Sequence, residues 1–515
     1  MTAALLLALI LTEGQGAGYT ISGTVVDAVS GAPLRRARVM LFEAESRRLM
    51  GEWTTDESGG FHFEGLPKGK YALEAEKAGY VIQRYGQKAL FSTFFSAIAT
   101  GEGLATEGLR FELIPSSAIS GTVVDERGEP VPGILVTCYR QTGHPDNPKW
   151  TRYRYEWTND LGRYRIHSLR KGTYIVVAQG AESLMRELRD GRKWGYAPAF
   201  APGVADAAQA ARIRLEPGQE ARADIAVRES PLVTVTVTQS GQAPPGPAIL
   251  TTRFARLSFL HVGTAGVARR SGFTIYDVPR GAYTLLVSSA TEPRILAMKQ
   301  VTVEDEPVTV DVGSETGPGA KITVEWVDGP PKQAVALMLD AEGAIGGQMT
   351  RLEPDSTAHF AVLPPGQYVP KLRSGNRDYA VTGMTVRPGR VADGALEIDG
   401  SGPVEIRLTA VSGVKDVAGR VFKDGVPLMG ATVILLPRNQ PIRAATWAVD
   451  QSDSDGTFSW KGVAPGEYLA FAFEHGEVFD YADPEVMGPL LRLGQPVTVK
   501  PGANPEVRLE ATRVE

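Results

Sequence analysis

The chain has a single cysteine, Cys138, in 515 residues. One thiol excludes an internal disulfide framework and any zinc site built from several cysteines of one chain. Cys138 stands in the apolar run Ile134-Leu135-Val136-Thr137-Cys138-Tyr139 and reads as a buried, inert thiol. Histidine is scarce too: His62, His144, His167, His261, His359 and His475 are the whole set. None is followed three residues later by Glu, no His-Glu-x-x-His occurs, and the nearest two lie 23 residues apart. The local spacing that holds a catalytic zinc is therefore missing. Gly-x-Ser-x-Gly and the Gly-x4-Gly-Lys-Ser/Thr phosphate loop are absent as well. Neither sign of charge dominates, since 54 Lys and Arg against 59 Asp and Glu leave a net charge of −5. A nucleic-acid partner would need a basic footprint, so none is expected.

Long hydrophobic runs are also lacking. Residues 2–12 form an uncharged apolar stretch, too short for a bilayer, which takes about 20 residues. The stretch fits the apolar region of a secretory signal, although no Lys or Arg precedes it. Gly14-Gln15-Gly16 supplies a small-x-small cleavage pattern, so residues 1–16 are expected to be a signal peptide. No further membrane-spanning segment is expected, and the mature chain is assigned to a secreted, periplasmic or cell-surface location.

What the chain has in excess is 57 Gly and 35 Pro, alongside an ordinary 43% of hydrophobic residues. That combination points to many short strands joined by many turns. One pattern recurs five times: Leu66-Pro67-Lys68-Gly69-Lys70-Tyr71, Leu169-Arg170-Lys171-Gly172-Thr173-Tyr174, Val278-Pro279-Arg280-Gly281-Ala282-Tyr283, Leu363-Pro364-Pro365-Gly366-Gln367-Tyr368 and Val463-Ala464-Pro465-Gly466-Glu467-Tyr468. The five tyrosines are separated by 103, 109, 85 and 100 residues. Before each motif lies a period-2 strand, as in Phe61/Phe63, Tyr164/Ile166 and Phe458/Trp460, and after each tyrosine another strand begins. Gly69, Gly172, Gly281, Gly366 and Gly466 are read as positive-φ residues of the connection. Tyr71, Tyr174, Tyr283, Tyr368 and Tyr468 are read as corner residues whose hydroxyls return to nearby backbone.

Three units also open alike. Ile21-Ser22-Gly23-Thr24-Val25-Val26-Asp27 leads to Pro33, Ile119-Ser120-Gly121-Thr122-Val123-Val124-Asp125 to Pro130, and Val417-Ala418-Gly419-Arg420-Val421-Phe422-Lys423 to Pro427. About seven short strands per unit, with turn signals every 8–12 residues, predict antiparallel sandwiches. The fold expected is all-β, a tandem array of about five Greek-key β-sandwich domains. Their divisions are 19–116, 117–230, 231–316, 317–412 and 413–515.

These openings, the run Thr54-Thr55-Asp56-Glu57-Ser58-Gly59-Gly60-Phe61 and the Leu-Pro-Lys-Gly-Lys-Tyr motif resemble carboxypeptidase regulatory-like domains. Those are transthyretin-like β-sandwiches, also grouped under a carbohydrate-binding-like fold. The resemblance is carried by 19–116, 117–230 and 413–515; the units at 231–316 and 317–412 look like diverged copies. It implies an exported tandem-sandwich protein, with a domain type that accompanies enzymes or receptors and is not itself catalytic.

Three segments stand apart from the repeats. Asp453-Ser454-Asp455-Gly456 could offer two carboxylates to calcium, but Asp and Asn favour such turns simply by bonding their own backbone. The turn is the reading adopted, and no metal or cofactor is expected. In Trp150-Thr151-Arg152-Tyr153-Arg154-Tyr155-Glu156-Trp157, strand alternation puts Tyr153, Tyr155 and Trp157 on a core face. Trp150, Arg152 and Arg154 then share the opposite face. That second face is the one ligand-binding candidate, an aromatic and Arg platform for a sugar, with Trp194 and Tyr196 nearby. Residues 182–189 read as a short helix stopped by Asp190-Gly191. The function expected is a non-catalytic exported binding or structural protein with a glycan or an envelope protein as partner. The alternative, resting on family association alone, is an accessory subunit of an envelope peptidase or outer-membrane receptor.

Overall fold

A computed structural model describes residues 18–513 apart from 88–94, 143–148, 181–187, 190–191, 239–244, 256–257, 266–271, 290–294, 313–317, 342–346, 376, 393–394, 439–447, 475–486 and 501–505. The signal assigned to 1–16 lies outside the described residues.

The protein is all-β, a tandem array of sandwiches built on five separate apolar cores. In each unit the opening strand runs antiparallel to the strand that precedes the tyrosine motif, and parallel to the closing strand. In the first unit Tyr19–Asp27 lies between Gly60–Leu66 and Leu109–Leu113. In the second, Ser117–Val124 lies between Arg163–Leu169 and the pair Glu220–Arg222 and Ile225–Ala226. The third places Glu229–Thr238 between Gly272–Pro279 and Val308–Asp311. The fourth places Ala320–Trp326 between Thr357–Phe360 and Val404–Val411, and the fifth Lys415–Lys423 between Thr457–Val463 and Val507–Glu510. The parallel pairing departs from the antiparallel sandwich expected above. The closing strand returns from the second sheet and enters in the same direction as the opening strand, so the sheet is mixed.

The second sheet centres on the strand after the opening turn. Arg38–Glu43, Leu135–Thr142, Pro245–Ala255, Ala336–Ala341 and Thr432–Pro437 each pair with a hairpin partner on one side and the tyrosine-bearing strand on the other. Among the described residues, only the fourth unit joins its two sheets into one. There the long strand Arg377–Arg387 pairs with Gly366–Ser374 at its start and with Val404–Val411 beyond it.

Burial follows the alternation. In Arg163–Leu169, Tyr164, Ile166 and Leu169 are buried while Arg163, Arg165 and His167 are exposed. The opening-strand glycines have a steric reason. A Cβ on Gly23 would stand 2.1 Å from the Leu109 carbonyl oxygen, and one on Gly121 2.0 Å from that of Ala223. Only glycine lets the closing segment approach this closely.

A polar bolt, unread in the sequence, ties the opening turn to the end of the hairpin in three units. The buried Thr55 hydroxyl donates to Leu34 O at 2.5 Å and accepts from the Ala37 N–H at 2.8 Å. Thr158 does the same with Val131 O and Ile134 N, and Ser452 with Leu428 O and Ala431 N. Consecutive units touch one another: Arg170 of the second donates to Ile82 O of the first at 3.2 Å, and Arg192–Tyr196 of the second unit's insert pairs with the opening strand Glu229–Thr238 of the third. Leu286 and Ile295 of the third pack on Val362 of the fourth, and Asp328 of the fourth accepts the Ser412 and Gly413 N–H groups. The third unit's strand thus begins at Glu229, before the division at 230; we take the five cores as marking the domains.

Replacing Thr158 by Val strands a buried N–H and a buried carbonyl, at a cost of about 1–3 kcal/mol. Faster amide exchange at Ile134 in the Thr158→Val chain is the expected readout. Unchanged exchange there contradicts the bolt.

Candidate functional site

The turn after the bolt is the same in three units, but its side chains do different work. Asp56 Oδ1 accepts from the Ser58 and Gly60 N–H groups at 2.9 Å each, and Asn159 Oδ1 accepts from Leu161 and Arg163 at 3.0 and 2.9 Å. These are self-bonded turns. Asp453 occupies the equivalent place in the fifth unit, with its N–H bonded to Thr457 O and its carbonyl accepting from Gly456. Its carboxylate, however, faces out of the turn. Asp455 takes over the local duty, its Oδ1 accepting from the Thr457 N–H at 3.1 Å and hydroxyl at 2.5 Å.

The released carboxylate docks on the first sandwich. Asp453 Oδ1 accepts the Ala97 N–H at 2.8 Å, and Oδ2 accepts from the Lys70 ammonium, which also donates to Thr457 Oγ1 at 2.7 Å. Around this pair the Ser454 N–H donates to Ala97 O at 2.9 Å, and the Ala99 N–H to Ser454 Oγ at 2.8 Å. The Ser96 hydroxyl donates to Ser452 O at 2.8 Å. Gln451 Nε2 donates to Gly86 O and to Ser96 Oγ. Met429 adds an apolar contact by packing on the first sandwich's core. Ser96, Ala97, Ala99, Gln451 and Ser452 are all buried. The first and fifth sandwiches are therefore latched together, and the chain of neighbour contacts closes on itself.

The Asp453-Ser454-Asp455-Gly456 run is thus a turn whose two carboxylates serve separate protein partners. Among the described residues no cluster of three metal-ligating side chains occurs. Burial pushes Asp453 above the ordinary aspartate value despite the opposing Lys70. Burial does the same to Asp450, whose Oδ2 accepts the Ser459 N–H at 2.7 Å, against the pull of that N–H, Lys70 and Lys461.

The five motif tyrosines share one geometry. Tyr71, Tyr174, Tyr283, Tyr368 and Tyr468 donate their hydroxyls to the carbonyl four residues back, on Pro67, Arg170, Pro279, Pro364 and Ala464, at 2.7–2.9 Å. Burial pushes all five phenols up, so they stay protonated donors. The motif glycines need correcting. Gly69, Gly281, Gly366 and Gly466 do not have positive φ; Gly172 alone is on that side, at 156°. Each of the four lies over the ring of its tyrosine: an added Cβ would clash at Gly281, 2.8 Å from the ring's hydroxyl, and would sit in ordinary contact at Gly69, Gly366 and Gly466, at 3.5–3.7 Å. At Gly172 the obstacle is the Arg140 guanidinium. The left-handed residue comes four places earlier in four units, at Gly65, Ser168, Asp277 and Gly462, where the register against the opening strand slips.

The aromatic strand needs correcting as well. Trp150 is 5% exposed and packs with Tyr139, Ile175, Val177 and Phe200, beneath the Arg212 guanidinium at 4.5 Å. It has no free face for a sugar, so the platform of Trp150, Arg152 and Arg154 is not assembled. Arg152 and Arg154 are exposed, the former over the Tyr155 ring at 5.1 Å. Of the face assigned to the core, only Tyr153 packs inward; Tyr155 and Trp157 are 53% and 46% exposed. A register slip between Cys138 and Tyr139 breaks the simple alternation. Cys138 is buried, its thiol pushed up to about 12 by burial. Of the expected helix, 182–187 lies outside the described residues, and Leu188–Arg189 is a strand paired with Arg192 and Lys193.

A folded-state pKa raised above the unfolded value gives stability that is present in acid and lost as pH rises through the raised value. Asp450→Asn removes the titration and keeps an oxygen for the Ser459 N–H. Parent stability relative to this variant is expected to grow as pH falls from neutral toward the ordinary value of 3.8. Melting scans across that range check the sign; a shrinking difference contradicts the burial account.

The carboxypeptidase regulatory-like domain model matches residues 20–91 and 118–228. A search of characterised proteins finds no match to the chain. Among solved structures, a streptococcal ancillary pilin is 12% identical over 55% of this chain and 99% of its own, with a TM-score of 0.18. The Bacillus anthracis TIE protein is 11% identical over 78% and 75%, with a TM-score of 0.18. Two B repeat units of the Staphylococcus aureus collagen-binding protein are 13% identical over 76% and 99%, with a TM-score of 0.15. No helix among the described residues is long and apolar enough to cross a membrane. The matched segments fall on the first two cores, so the first two sandwiches of this tandem array match the carboxypeptidase regulatory-like domain family.

Proposed function

We propose that the chain is a non-catalytic, exported structural and binding protein of the cell envelope or its surroundings, working as a closed scaffold rather than an extended spacer. The observation that carries this reading is the latch between the fifth sandwich and the first. An extended spacer would leave its end domains apart, whereas here the fifth unit gives up a turn carboxylate, a glutamine and a serine to hold the first. The contact uses a largely buried carboxylate with two fixed partners, the Ala97 N–H and the Lys70 ammonium, which sets relative orientation more than it adds affinity. A closed array holds its exposed faces at constant separations, the property a scaffold or adhesive protein needs. Export rests on the apolar N-terminal run, and a family domain type that is not itself catalytic supports the absence of an enzymatic role.

The Asp453→Lys variant places a second cation against Lys70 and removes the acceptor for the Ala97 N–H. Small-angle scattering of the full chain is expected to show a compact parent and a variant with a larger radius of gyration. Identical profiles, with the variant's sandwiches still folded by circular dichroism, contradict the closed scaffold.

A further inference from the structure

The face that docks in the fifth sandwich is left open in the second. Gln451, Asp453 and Thr457 meet the first sandwich; by strand register their counterparts in the second unit are Trp157, Asn159 and Arg163. These line an open groove of about 500 Å³, with Arg165, Arg222 and Thr122 as further walls. A groove of this volume is in the range of small-ligand sites. In the first sandwich the matching positions are Thr54, Gly60 and His62, so the fold does not require an indole and guanidiniums here.

The side chains are available. Trp157 is 46% exposed although it ends a strand. Arg163 bonds the Asn159 side chain through its backbone N–H, and its guanidinium has no carboxylate partner among the described residues. Arg165 gives Nε and Nη2 to Glu220, and Arg222 gives Nε to Asp224. Among the described residues Arg165 Nη1 and both terminal nitrogens of Arg222 have no hydrogen-bond acceptor. Among the described residues Glu220 and Asp224 are the carboxylates bonded to these cations, so three guanidiniums outweigh two carboxylates. Guanidinium forks select planar carboxylates. An exposed indole offers a flat, electron-rich face to polarised C–H groups. The remaining walls are Ser120, Gly121, Thr122, Asn159 and Tyr164, mostly hydroxyl and amide groups.

We propose that this groove binds an acidic saccharide, with a pyranose ring stacked on Trp157 and its carboxylate held by Arg163 and the free edges of Arg165 and Arg222. The inference names a ligand class that the scaffold reading leaves open, and it does not depend on the latch.

The test is calorimetric titration of the full chain with hexagalacturonate, using maltohexaose as the neutral control and poly-L-glutamate as the acidic peptide control. The parent is expected to bind hexagalacturonate and neither control. Trp157→Ala and Arg163→Gln should each weaken binding about tenfold, while Arg110→Gln, on the first sandwich, should not. Both groove residues are exposed, so unchanged circular dichroism and the parent's scattering profile should accompany the loss. The proposal is overturned by no binding in the parent, by equal binding of maltohexaose, by poly-L-glutamate binding as tightly, or by variants that bind like the parent. None of those outcomes alters the scattering result, so the closed scaffold stands or falls separately.

Discussion

The arrangement of this molecule turns on one carboxylate that does not do its usual job. In the first two sandwiches the Asp or Asn after the bolt closes its own turn. In the fifth, Asp455 has taken that role and Asp453 reaches the Ala97 N–H and Lys70 of the first sandwich. A carboxylate buried at a contact is costly unless each lone pair is met. Here both meeting groups, the Ala97 N–H and the Lys70 ammonium, come from the other sandwich, so the charge is accommodated only while the two sandwiches are in register. Every neighbouring contact, from Gln451 on Ser96 to Ser454 on Ala99, inherits its position from that pair.

Within each unit, stability comes from packing and short polar ties, as the single cysteine demands. The tyrosine hydroxyl pins the corner to a carbonyl four residues back, and in the third unit Gly281, two places before the tyrosine, clears room for the ring. The Thr or Ser bolt fixes the opening turn to the hairpin. These ties are local and repeat; the latch is long-range and occurs once. The same surface of the fold can therefore serve as a domain contact in one copy and as an open groove in another, according to what stands at the positions of Trp157 and Gln451.

This division explains what could be read in the sequence. The five units, their strands and the corner tyrosines were legible because a repeated, period-2 pattern records burial directly. The role of the motif glycines was misread, because sequence shows that a side chain is missing but not whether φ or a neighbouring ring requires it. Trp150 was misplaced because a register slip at Cys138/Tyr139 changes which residues share a face, and no residue type announces such a slip. The latch was invisible for a different reason. Five of the eight hydrogen bonds described for it use a backbone N–H or carbonyl, of Ala97, Ala99, Ser454, Ser452 or Gly86, which every sequence supplies. Asp453-Ser454-Asp455 drew attention as a metal candidate because two carboxylates stood close, while their separate partners lie more than 350 residues away and two residues away respectively.

The central claim is that the first and fifth sandwiches hold each other through the Asp453 turn. The most direct measurement is amide hydrogen exchange in the full chain at Ala97, Ala99 and Ser454, whose N–H groups are all committed across the contact. The account predicts slow exchange at all three, on the scale of the strand interiors beside them. Exchange as fast as that of an exposed loop at these three amides, with the adjoining strands protected, would show that the two sandwiches do not dock.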